Sequence, residues 1–447
     1  MRLNQNAKQR RRIFANAPRT HEGGPAYPEV SKEQQLNRSV LSCLLWEDTF
    51  YESGESIADR ISALARECNG KFVSELAMRA RKDYKLRHAP LLLLDALCEI
   101  GTGSSLVSDT IAETIDRPDE LSEMLAVYWR NGKRPLSNQL KKGLSRAFGK
   151  FDAYQLAKYE RDRKIKLRDV MFLVHPKPAN GQDETFKQLA EGTTKVKGTW
   201  EASLSKGSEK KTAEDKRGRW EAMLREGKLG YMALLRNLRN MAQANVDRDL
   251  ISSAILARKG ARNVLPFRFV SAVQHAPQFE HELDRAFAAQ IADIEADKLK
   301  TVVLVDVSYS MDAKLSGKSD LDRMDAAAAL AVMVPGNKRI FAFSNEIAEV
   351  HDASGLSGIT KIKRAVQNGG TNLGAAVDYI NGKVAYDRFI VVTDEQSHDY
   401  VDAPKGRGYM INVASYQNGV GYGEWVHIDG FSEQVLRFIA AYESEAA

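Results

Sequence analysis

At 447 residues, with 43% hydrophobic and 28% charged side chains, the chain is too long for one ordinary core and reads as a soluble globular protein of two or three domains. No apolar run approaches the length needed to cross a bilayer, and the basic, polar start lacks a signal-peptide core, which argues against membrane insertion and export. The net charge of +6 is uneven: residues 301 to 447 hold 13 Lys and Arg against 19 Asp and Glu, leaving +12 on the residues before them. A basic first two-thirds joined to an acidic last third suggests a polyanionic partner for the former.

Residues 1 to 30, with Arg10-Arg11-Arg12 followed by Pro18, Gly23, Gly24, Pro25 and Pro28, predict an extended basic arm. From residue 31 to about 149 the pattern is helix after helix. Ile57, Ile61, Leu64 and Cys68 recur at helical spacing between Ser56 and Gly70, and further amphipathic stretches follow at 71 to 84, 91 to 100, 106 to 115, 119 to 130 and 136 to 148. Such short-linked helices predict stacked pairs of the HEAT or armadillo type. Cys43, Cys68 and Cys98 have no C-x-x-C spacing and read as reduced, buried thiols of a cytoplasmic protein.

Residues 150 to 178 crowd Lys158, Arg161, Arg163, Lys164, Lys166, Arg168 and Lys177 around Tyr154, Tyr159 and His175. Cations beside flat rings can hold phosphates and stack unpaired bases, although a solvated basic helix face would have the same composition. The polar stretch 179 to 219 reads as a long surface excursion. Beyond it, Met232, Leu235 and Leu238 in Gly-Tyr-Met-Ala-Leu-Leu-Arg-Asn-Leu-Arg-Asn-Met, residues 230 to 241, predict a core helix carrying Arg236 and Arg239. A charged helix is expected over 276 to 299.

The last third alternates strand and helix. Strands are predicted near 301 to 305, 339 to 344, 388 to 393 and 409 to 414, and helices near 321 to 334, 358 to 367, 373 to 383 and 432 to 443, which signals a mostly parallel sheet covered on both faces. The first strand ends in Asp306-Val-Ser308-Tyr-Ser310, the third in Asp394, and Gly369-Gly370-Thr371 offers a hydroxyl before a helical pattern. In a parallel sheet these five oxygen donors meet at one edge, where open α/β sheets bind their ligands. Oxygen-only donors suit a hard divalent cation, with magnesium the natural choice. A phosphoryl-accepting Asp306 would call for a second carboxylate two residues on, where Ser308 stands, so a binding site is expected and not an enzyme.

This last segment resembles a von Willebrand factor A domain with a metal-ion-dependent adhesion site. That resemblance implies a coordination position left open for an acidic group on a protein partner. Residues 230 to 241, with Thr199-Trp200-Glu201, Leu265-Pro266-Phe267-Arg268 and Gly430-Phe431-Ser432, resemble the Ro family of TROVE-domain proteins from about residue 31 to the end. The expected architecture is multidomain: a flexible arm (1 to 30), an all-α HEAT-like ring (31 to 299), and a doubly wound, Rossmann-like α/β von Willebrand factor A domain (300 to 447). The family resemblance implies that the ring's basic outer surface binds Y-like noncoding RNA and that single-stranded 3′ ends of misfolded RNA enter its hole. Roles in RNA quality control follow, with an exoribonuclease tethered through RNA. Lys158 and His175 fall on family positions that contact Y RNA. The family's next basic position falls near Asp162, an acid with Arg161 and Arg163 on either side. A cytoplasmic monomer is expected. The rival reading is a metal-dependent protein-interaction scaffold without RNA.

Overall fold

The computed structural model describes residues 31–41, 54–160, 163–178, 181–194, 213–261, 264, 267–292, 297–315, 320–414, 424–431 and 434–445. The basic arm, Cys43, Arg161 and Asp162 lie outside the described residues. The chain divides into two compact units, one formed by Ser31–Trp46 with Ser53–Lys197, the other containing Gly198–Ala447.

The first unit is all helical: α1 (Lys32–Val40), α2 (Gly54–Glu67), α3 (Gly70–Lys82), α4 (His88–Ile100), α5 (Ser105–Thr114), α6 (Pro118–Tyr128), α7 (Asn138–Phe148), α8 (Ala153–Tyr159), α9 (Leu167–Val174) and α10 (Asp183–Glu191). Short polar side chains start five of these ten helices. Ser31, Asn69, Ser104, Ser137 and Asp152 each accept a backbone N–H of the first turn, satisfying donors that the helix itself cannot. Helices close in sequence pack together, α3 on α4 and α5, α5 on α7, and α7 on α9, as expected for stacked helical pairs. The α5–α7 crossing is close. A Cβ at Gly143 would lie 2.7 Å from the Ile111 Cβ, which explains a glycine inside a helix despite a propensity cost of about 1 kcal/mol.

The expected surface excursion over 179 to 219 is wrong in part. It contains α10 and the start of α11 (Ala213–Arg225), which bury Phe186 with Leu189 and Trp220 with Met223. In each pair the apolar residues are three apart, enough for one buried face; the polar residues around them hid the period. Cys98 is buried as expected, and burial pushes its thiol up to about 12; Cys68 is half-buried instead.

The second unit joins helices α11, α12 (Tyr231–Gln243), α13 (Arg248–Ala257), α14 (Phe267–His275) and α15 (Glu280–Ala292) to a six-stranded sheet. In α12 the buried stripe holds Tyr231, Leu234, Leu235, Leu238 and Met241; Met232 is half-exposed, and Arg236 and Arg239 face outward. The sheet consists of β1 (Thr301–Asp306), β2 (Lys338–Phe343), β3 (Ile347–Glu349), β4 (Arg388–Thr393), β5 (Arg407–Asn412) and β6 (Trp425–Asp429) in the order 3-2-1-4-5-6, parallel except at β3. Around it lie α16 (Arg323–Met333), α17 (Gly355–Lys363), α18 (Leu373–Lys383) and α19 (Gln434–Glu445). β1 and β4 are buried throughout, as their unbroken apolar sequences demand. Sequence reading missed β3, a three-residue antiparallel edge, and β6, whose alternation is interrupted by His427 and Asp429.

Helices and sheet are tied by specific contacts within this unit. Asp284 of α15 accepts the Leu356 N–H at 2.6 Å, capping α17, and Gly355 makes room for that carboxylate at φ +64°, where a Cβ would lie 2.3 Å from its Oδ1. Phe267 of α14 meets Phe431 edge-on, with ring centroids 5.6 Å apart.

Candidate metal centre and basic surface

Strand order reverses between β1 and β4, so the crevice for a ligand lies at their carboxyl ends. Asp306 closes β1, and Asp394 follows β4. Both are fully buried, with Ser308 and Thr371 nearly so and Ser310 half-buried. Hydrogen bonds gather the three segments. Asp306 accepts the Ser308 N–H on Oδ1 at 2.9 Å and the Thr393 hydroxyl on Oδ2 at 2.6 Å. The Tyr309 N–H donates to the Gly369 carbonyl at 2.9 Å, joining the first loop to the glycine turn. The Thr371 carbonyl accepts the His398 N–H at 3.3 Å, joining that turn to the loop after β4. Ser308 and Ser310 place their Oγ atoms 3.2 Å apart. All five predicted metal-site residues therefore belong to one hydrogen-bonded crevice.

Two buried carboxylates at one edge are costly unless positive charge offsets them. Burial, and then the Asp394 charge, push the Asp306 carboxyl up to about 7, while hydrogen bonds from Ser308 and Thr393 act in the opposite direction. Among the described residues no three His, Cys, Asp or Glu side chains cluster as a metal group, so hydroxyls and water must supply the remainder of any coordination shell. A hard cation that keeps several waters and takes two carboxylates fits this donor set. Asp306 and Asp394 would hold it, directly or through water, with Ser308, Ser310 and Thr371 completing the oxygen face.

Sequence reasoning missed two supporting residues. Arg323, at the start of α16, has a side chain only 2% exposed; its Nη1 lies 3.6 Å from Asp394 Oδ2 and donates to the Ser310 carbonyl at 3.2 Å. It brings positive charge to Asp394 from a helix remote from any metal motif, and no spacing in the sequence signals it. Asp399 accepts the N–H groups of Gly374 and Ala375, each at 2.8 Å, and so anchors the start of α18 beside Thr371. Tyr309 stands at the rim, 67% exposed.

In the first unit the predicted RNA-contact residues have different surroundings. Lys158 is half-buried in the last turn of α8, with Nζ 5.9 Å from the Tyr159 ring. The Arg117 guanidinium lies 5.0 Å from the same ring, so Tyr159 is engaged within the fold and is not the free stacking face that composition suggested. Arg163 is exposed but pairs with Glu123 at 3.1 Å. His175 ends α9 in the left-handed conformation, φ 46° and ψ 59°, with its side chain exposed. A left-handed residue with a Cβ is uncommon, though histidine is among the types enriched there, and such conformations concentrate at functional positions.

The TROVE domain family model matches residues 195–318. Among solved structures, the chain is similar to the crystal structure of the Deinococcus radiodurans Ro (Rsr) protein, at 17% identity, covering 92% of this chain and 100% of that one with a TM-score of 0.64. No curated protein sequence matches. Helices followed by a doubly wound sheet, a fold shared with a Ro protein along nearly the whole chain, and the TROVE match at the junction all agree with the residue-level resemblance: the chain carries a TROVE-domain match over residues 195–318 and has the fold of the Ro protein.

Proposed function

We propose that the protein binds noncoding RNA on the exposed face of α8 and α9 and holds a magnesium ion in its α/β part. The observation that carries the RNA reading is how charge is used between residues 150 and 178. Of the four acids there, Asp152 caps α8, Glu160 accepts the Leu167 N–H at 2.9 Å and Asp169 the Lys166 N–H at 2.8 Å. Three acids are thus turned onto the backbone, while Lys164, His175 and Lys177 face solvent and Lys158 is half-exposed. An outward face of cations with inward-turned carboxylates attracts a polyanion.

The finer parts of this reading rest on the resemblance to Ro proteins. The RNA on α8 and α9 is a structured, Y-like RNA; single-stranded 3′ ends of misfolded RNA engage the helical ring; and the complex serves RNA quality control in the cytoplasm, with an exoribonuclease joined through RNA. The α/β part acts as a von Willebrand factor A domain whose ion takes an acidic group of a protein partner. The exposed Tyr309 ring beside the crevice supports a protein contact there. The function is binding and not catalysis, because Ser308 stands where phosphoryl-transfer chemistry would place a second acid.

The test is crosslinking in the native host, followed by sequencing of the RNA that copurifies. A few abundant structured RNAs, bound with steep salt dependence and weakened by Lys158→Ala and His175→Ala, are expected. Recovery of proteins with no RNA would replace this reading with the scaffold.

A further inference from the structure

α9 reads Leu-Arg-Asp-Val-Met-Phe-Leu-Val, and its inward face is already complete: Leu167, Val170, Met171 and Val174 are buried at helical spacing. Phe172 falls outside that stripe and is 55% exposed, the only phenylalanine among the large hydrophobic residues exposed in the described part of the chain. A single exposed apolar side chain commonly needs no explanation. Here its neighbours supply one. Residues four before and three after lie on the same side of a helix, so Arg168, half-buried, and the exposed His175 that caps the helix share the side of α9 that carries Phe172. Tyr154 on α8 is a second outward ring, 51% exposed, and α10 packs against both helices.

We propose that Phe172 is a stacking platform for an unpaired nucleobase, so that the RNA recognised on this face presents a bulged or single-stranded nucleotide there. The inference rests on the RNA-binding reading above and adds the form of the RNA. A phenyl ring offers no hydrogen bond to phosphate or sugar, so it contributes nothing to a uniform duplex backbone. Its flat face suits the one part of RNA that is apolar and planar, provided the base is out of its own stack. The basic groups on this side explain why the occupant is a nucleic acid and not an apolar protein segment: Arg168 and His175 share the side of α9 that carries Phe172, and Lys164 and Lys177 lie exposed just before and after the helix. From the start of α9 to His175 is about 12 Å at 1.5 Å per residue, a span of two nucleotides of extended strand, so one stacked base can have phosphates held on either side.

The experiment uses the full chain and two RNA hairpins of equal length, one with a single bulged 2-aminopurine and one fully paired. The parent protein is expected to prefer the bulged hairpin about fivefold or more and to change its 2-aminopurine fluorescence on binding. Phe172→Leu, which keeps an apolar side chain but removes the π face, is expected to bind both hairpins alike with an unchanged salt slope, and Phe172→Trp to restore the preference. Equal preference in parent and Phe172→Leu, with the fluorescence change intact, overturns the stacking proposal alone. Failure of the parent to bind either hairpin, or binding indifferent to salt and to Lys158→Ala, overturns the RNA reading and the stacking with it.

Discussion

His175→Gly separates a functional from a structural explanation of the left-handed residue at the end of α9. The His175 N–H donates to the Met171 carbonyl at 2.9 Å, and glycine keeps that bond. A Cβ at φ 46° and ψ 59° costs about 1 to 2 kcal/mol relative to a right-handed residue, and glycine removes this cost. The greater freedom of glycine in the unfolded chain returns about 0.5 to 1 kcal/mol. The net expectation is unchanged stability or a gain of up to about 1.5 kcal/mol, read as the urea midpoint by circular dichroism. Loss of an exposed ring that contacts RNA costs about 1 to 2 kcal/mol, a five- to thirtyfold fall in affinity, read by fluorescence anisotropy at fixed salt. A substitution that leaves RNA affinity intact and lowers stability by more than about 1 kcal/mol refutes the reasoning, because His175 would then be serving the fold.

Magnesium should raise the melting temperature of the parent, by an amount equivalent to about 2.7 kcal/mol at a hundredfold excess over the dissociation constant, and Asp306→Ala should abolish the rise without altering RNA affinity; joint loss of both would show that the sites are coupled. Arg323→Met leaves the buried acids Asp306 and Asp394 short of positive charge and should lower stability by about 3 kcal/mol in chelator, with magnesium recovering part of it; an unchanged melting curve contradicts the role given to Arg323. The hydrogen bond from Arg66, with that from Arg134, holds the Glu99 carboxyl below its usual value. Its contribution is present above about pH 4.5 and lost as pH falls through the lowered folded value, so Glu99→Gln should cost about 1 kcal/mol or less at pH 7 and nothing in strong acid, as urea melts at several pH values would show.

Most of the architecture was legible in local patterns. The apolar runs of β1 and β4, the stripes of α2 to α7, and the acids at two strand ends are periodic or contiguous, and their physical meaning does not depend on distant residues. That is why all five predicted metal-site residues meet in one crevice: parallel pairing of β1 with β4, once the alternation of strand and helix is recognised, brings Asp306 beside Asp394. Short elements in polar surroundings were the failures. α10 is held by two inward apolar side chains, Phe186 and Leu189, and β3 pairs only with β2 at the sheet edge.

The sequence by itself determined the fold class, the oxygen-donor crevice and the basic character of residues 150 to 178, because burial, hardness of ligands and net charge are properties of residue types and their spacing. Only the tertiary structure decided which of those charged and aromatic groups are available. Tyr159 lies beneath Arg117, Arg163 meets Glu123, and Arg323 reaches Asp394 from another helix, whereas Phe172 and His175 stand outward on α9. Composition counts charges and rings; their pairing depends on distances of a few ångströms between segments far apart in the chain.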